Sequence, residues 1–80
     1  SGRVARGVES YNKAYAMFKE NLRQGEDKGA TKEQVEQYIR QQELEGHTHW
    51  MLSTITSPNY ERLLGIRMAI DDIKKERGIR

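Results

Sequence analysis

Val4, Val8, Tyr11, Tyr15, Phe18 and Leu22 recur at intervals of 4, 3, 4, 3 and 4 residues. That alternation is the a/d rhythm of a heptad, and it winds one apolar stripe along one side of an α-helix. A half-buried strand would need apolar residues at every second position, and they are absent. Glu20, Asn21 and Arg23 fall on the far face of such a helix. The run Gln24-Gly25-Glu26-Asp27-Lys28-Gly29 then supplies a stop, with Gly25 expected to take the left-handed conformation just past the helix end. The spacing predicts a first helix over 4–24.

A second helix is predicted over 32–56. Thr31-Lys32-Glu33-Gln34 is a capping-box pattern, in which the Thr31 hydroxyl accepts from the Gln34 amide and the Gln34 side chain reaches back. Glu33 and Glu36 favour the positive end of the helix dipole. Val35, Tyr38 and Ile39 share one face. Past Gln42 the apolar phase rotates to Leu44, Met51, Leu52 and Ile55, and Gly46 lies at the change. Continuity through Gly46 is the preferred reading, with a break there as the alternative.

The third helix is predicted over 58–77. Ser57-Pro58 reads as an N-cap followed by proline in the first turn, where the missing N–H costs nothing. Leu63, Ile66, Ile70 and Ile73 repeat at helical spacing, Lys74, Lys75 and Arg77 suit the negative end of the dipole, and Gly78 is a natural stop. Gly65 in mid-helix costs roughly 1 kcal/mol relative to alanine. A close helix–helix approach would explain it.

These elements make one all-α domain over residues 1–80, a helical hairpin or small three-helix bundle. Ser1-Gly2 opens the chain without Met, is expected to be a cloning remnant, and carries no weight in this reading. No apolar stretch follows Val4 as a secretory signal would require, and no run approaches the roughly 20 apolar residues of a membrane span. The hydrophobic fraction is 35% against 32% charged, with no cysteine to make a disulfide or a zinc thiolate. A core this small rarely supplies more than about 3–5 kcal/mol, so oligomerisation is the expected extra support. The charge is segregated: residues 1–30 hold six basic and four acidic side chains, 31–57 two and four, and 58–80 six and four. An acidic middle between basic ends suits a middle helix lying against the outer two, or one copy lying against another.

No catalytic constellation emerges. His47 and His49 are two apart, so on a helix they point to different faces and cannot share one metal ion. Ser10, Ser53 and Ser57 have no acid–base partner at a recognisable spacing, and the glycines form no phosphate-binding pattern. Asp71 and Asp72 diverge and are expected to pair with Arg67, Lys74 and Lys75. No enzyme activity, cofactor or metal is therefore expected. The expected function is protein–protein association, including self-association. Its seam is Val4, Val8, Tyr11, Tyr15, Phe18 and Leu22, against Leu63, Ile66, Ile70 and Ile73 or against the same helix of another copy. The alternative is a small DNA-binding regulator that uses Arg3, Arg6, Lys74, Lys75 and Arg77, provided the two ends cluster. It is not favoured, because residues 47–56 contain no Arg or Lys to serve as a recognition helix.

Residues 57–73, with Tyr60, Leu63, Gly65, Ala69, Ile70 and Ile73 in register, resemble a helix of short helical proteins encoded by tailed bacteriophages. That resemblance implies a virion-assembly or accessory protein, located in the cytoplasm or the virion.

Overall fold

In the computed structural model, residues 2–52 and 58–79 are described, without the side chains of 2–4 and 58. The chain forms three helices, α1 (Gly2–Asp27), α2 (Lys32–Met51) and α3 (Pro58–Glu76). There is no strand among the described residues. Gly7 and Glu61 meet at one end of the molecule and Glu26 and Arg77 at the other, so α1 and α3 run parallel. Trp50 meets Tyr60 and Glu43 meets Lys74, so α2 runs antiparallel to α3. The result is an up-down-up bundle of 41 × 20 × 19 Å. α3 is the central element: it packs along α1 and, less extensively, along α2, while α1 and α2 touch only sparingly.

Each helix boundary has a local cause. At the start of α2, Thr31 is extended (φ −74°, ψ 162°), its hydroxyl accepts from the Gln34 amide at 3.1 Å, and its own amide donates to Gln34 Oε1 at 2.9 Å. The capping box is formed as expected. α1 does not stop at Gly25. It runs to Asp27, and Gly29 takes the left-handed conformation at φ 92°. Gly29 N–H donates to Glu26 O at 3.0 Å and Ala30 N–H to Gly25 O at 3.0 Å, the paired bonds of a Schellman ending. Gly25 is thereby the last-turn residue over which Ala30 folds, and a Cβ there would sit 4.0 Å from Ala30 Cβ. The end of α3 repeats the motif, with Gly78 at φ 70°, Gly78 N–H on Lys75 O and Ile79 N–H on Lys74 O. Gly25→Ala is accordingly expected to raise stability by up to about 1 kcal/mol through helix propensity. Gly29→Ala is expected to lower it by about 1–2 kcal/mol, because a side chain is strained in that conformation. Urea unfolding midpoints of the two variants should move in opposite directions.

α2 is continuous through Gly46. A Cβ at that position would lie 3.4 Å from Arg67 Cγ, so the glycine makes room for an arginine stem rather than a bend. α2 ends at Met51, with Leu52 as its C-cap, short of the expected limit near Thr56. Residues 53–57, including the expected Ser57 N-cap, lie outside the described residues.

The core contains Ala14, Phe18 and Leu22 from α1, Val35 and Ile39 from α2, and Ala69, Ile70 and Ile73 from α3. It sits toward the C-terminal ends of α1 and α3. Toward their N-terminal ends the two backbones close up instead. A Cβ at Gly65 would stand 2.5 Å from Gly7 O, 3.0 Å from Tyr11 N and 3.1 Å from Ser10 Cβ. The close approach expected for Gly65 is therefore present, and its partner is the backbone of α1.

Candidate interaction surfaces

The heptad stripe of α1 is only partly the buried seam. Phe18 and Leu22 are buried, and Tyr11 and Tyr15 are half-buried. Val8 is 56% exposed, whereas Gly7 faces α3 in the position the stripe would give to Val8, and Ala14 joins the core beside Tyr15. The contact face is thus widened toward Gly7 and Ser10, whose small side chains let the α1 backbone approach Gly65. The side chain of Val4 lies outside the described residues. On α3, Ile70 and Ile73 are buried, and Leu63 and Ile66 are half-buried. Phe18, Leu22, Ile70 and Ile73 are thus used within one chain and are not available to a second copy in this fold.

The two half-buried tyrosines tie α1 to α3. Their rings stack with centroids 5.8 Å apart. The Tyr11 hydroxyl donates to Asp72, and the Tyr15 hydroxyl donates to Glu76 Oε2 at 2.6 Å. Lys19 joins the same Glu76 carboxylate at 3.0 Å. Asp72 is therefore a tyrosine acceptor rather than a lysine partner, while Asp71 does pair with Lys75 at 3.0 Å. The bond to Asp72, and next the loss of hydration, push the Tyr11 phenol from its ordinary 10.0 up to about 12. Tyr15 is raised for the same kind of reason by Glu76, whose own carboxyl is held low by the Tyr15 bond and then by Lys19.

The sign of the pH effect follows. The Tyr11 contribution is complete below the unfolded value of 10.0 and disappears as pH rises toward about 12. The Glu76 contribution is complete above the ordinary carboxylate range and is lost as pH falls from that range through the lowered folded value. We expect stability to decline on the alkaline side from pH 10.0 upward and Tyr11→Phe to flatten that decline. Urea unfolding across this range, with ultraviolet titration of the phenols, checks it.

The basic residues of the two ends do not form one patch. Because α1 and α3 are parallel, Arg6 lies at the opposite end of the 41 Å long axis from Lys74, Lys75 and Arg77. Lys74 donates to Glu43 at 2.9 Å, Lys75 pairs with Asp71, and Arg77 donates to Glu26 at 2.8 Å. The side chain of Arg3 lies outside the described residues. Among the described residues no group of three His, Asp or Glu side chains converges as a metal set, and no helix is long and apolar enough to cross a membrane. His47 is exposed beside Trp50, at 6.4 Å between ring centroids. Trp50 is half-buried between Tyr60, at 5.8 Å, and the Arg67 guanidinium, 4.5 Å above its ring.

Two surfaces stand out among the described residues. One is a groove of about 470 Å³ between α1 and α3, lined by Arg6, Glu9, Ser10, Lys13, Ala14, Met17, Arg62 and Ile66. Ala14, Met17 and Ile66 form its apolar part; Arg6, Lys13 and Arg62 outnumber the single carboxylate, Glu9. The other is the outward face of α2, where Leu44, Met51 and Leu52 are 65%, 65% and 81% exposed. Thr48 shares this face and turns its hydroxyl onto Leu44 O at 3.0 Å, which takes its polar atom out of the face. The phase change past Gln42 was the sequence signal for this face: the rotated stripe is the part of α2 that nothing in the described chain covers. The groove had no such signal, since it mixes small, charged and apolar residues from two distant segments. No known protein family, curated protein or solved structure matches this chain.

Proposed function

We propose that this three-helix bundle is a non-enzymatic assembly protein that acts by binding protein chains, including copies of itself. The observation that carries this reading is the uncovered stripe of Leu44, Met51 and Leu52, set against only eight buried hydrophobic residues among those described. Apolar side chains at helical spacing on the outside of so lean a domain add nothing to its own fold and favour association. The separation of the basic ends, and the pairing of Lys74, Lys75 and Arg77 with carboxylates, give less support to DNA binding. The resemblance of residues 57–73 to a tailed-phage helix makes virion assembly the setting of this proposal. Sedimentation equilibrium from micromolar concentration upward tests it. Concentration-dependent mass is the expected result, and a stable monomer throughout would overturn self-association.

A further inference from the structure

We propose that the outward face of α2 in one copy seats in the α1–α3 groove of the next, joining copies head to tail. This rests on the self-association reading above and names the two surfaces that meet. Leu44, Thr48, Met51 and Leu52 follow the i, i+4, i+7, i+8 pattern by which a helix lays its apolar face into a groove. The groove offers Ala14, Met17 and Ile66 to receive them.

Charge favours this pairing over a symmetric one. On α2, Glu43 is paired with Lys74 and Glu36 with Arg40, so the face itself carries Glu45, while the groove lining carries three basic and one acidic side chain, net +2. Between Leu44 and Leu52 the one formal charge at neutral pH is Glu45. Two α2 faces packed on each other would therefore bring like charges together, whereas Glu45 against Arg6, Lys13 or Arg62 would not. Lys13 already has Glu9 at 3.4 Å, but Arg6 and Arg62 have no ion-pair partner among the described residues. The face and the groove share no residue. The contact is therefore heterologous, and it propagates into a ring or an open chain of copies.

The test uses two double variants of the full chain. Leu44→Glu with Met51→Glu breaks the face, and Met17→Glu with Arg62→Glu breaks the groove. All four side chains are exposed, so both proteins should keep the wild-type melting curve. Sedimentation velocity is run at about 200 μM, where contacts with Kd of roughly 100 μM or tighter are populated. Wild type is expected to associate, and each variant alone to do so about ten-fold more weakly or not at all. A 1:1 mixture should form a discrete heterodimer, because one intact groove then meets one intact face. If the groove variant associates as wild type does, or if the mixture stays monomeric, this pairing is wrong while self-association stands. A monomeric wild type would remove both.

Discussion

Alanine at Gly65 is expected to destabilise this protein by about 1–3 kcal/mol, the usual range for forcing atoms into a packed contact. Two effects oppose each other. Alanine is the better helix former by roughly 1 kcal/mol, and in an exposed helix it would win. Here its Cβ would stand 2.5 Å from Gly7 O and 3.0 Å from Tyr11 N, and both are backbone atoms that cannot turn aside. Relief requires α1 and α3 to move apart, which disturbs the Tyr11–Asp72 and Tyr15–Glu76 bonds along the same seam. The control is Gly7→Ala on the facing helix. Its Cβ would meet Glu61 O at 3.6 Å, an ordinary contact, so that variant should be neutral or slightly more stable. Thermal melts followed by circular dichroism separate the two. Equal melting of both variants would show that the helices are not held this close in solution.

Truncating Ile73 should have a larger effect still. Ile73 is wholly buried and lies in the one cluster that joins all three helices, with Ile39 and Ile70. Removing a buried isoleucine to alanine costs about 2–5 kcal/mol, while a domain of this size has about 3–5 kcal/mol to lose. Ile73→Ala is therefore expected to abolish the cooperative transition at room temperature. Ile73→Val, which costs about 0.5–1.5 kcal/mol, should remain folded with a lower midpoint. A wild-type melting curve for the alanine variant would mean that α3 does not occupy the centre of the fold. Leu44→Ala, on a residue 65% exposed, should by contrast leave the monomer's melting unchanged and report on association alone.

How far the fold was legible varied with the range of the interactions involved. The Thr31 capping box was readable because its donors and acceptors all lie within four consecutive residues. The ending at Gly78 was readable for the same reason. The ending of α1 was not, because Gly25 and Gly29 are both suitable residues. Ala30 decided it by folding back over Gly25, leaving Gly29 to take the left-handed turn. The apolar stripe placed α1 correctly at Tyr11, Tyr15, Phe18 and Leu22 but misplaced Val8. Periodicity counts large apolar side chains and gives no weight to glycine or alanine. A backbone-to-backbone crossing selects small residues, so Gly7 took the place that the stripe gave to Val8, and Ala14 joined the core beside Tyr15.

The candidate surfaces divide in the same way. The α2 face was visible as a rotated stripe, since helical spacing alone puts Leu44, Thr48, Met51 and Leu52 together. That it would be left uncovered depended on where α1 lies. The groove depended on the same thing, because Arg62 and Ile66 come beside Lys13 and Met17 only when α1 and α3 run parallel. By itself the sequence determined three helices, the Thr31 capping box, the ending at Gly78 and the oddness of a glycine at position 65, all consequences of bonds and steric preferences within a few residues. The tertiary structure decided which helix that glycine admits. With that choice came the parallel order of α1 and α3, the separation of the basic ends, and the two surfaces left for another chain, because close packing between helices is settled by shape across the fold and not by local propensity.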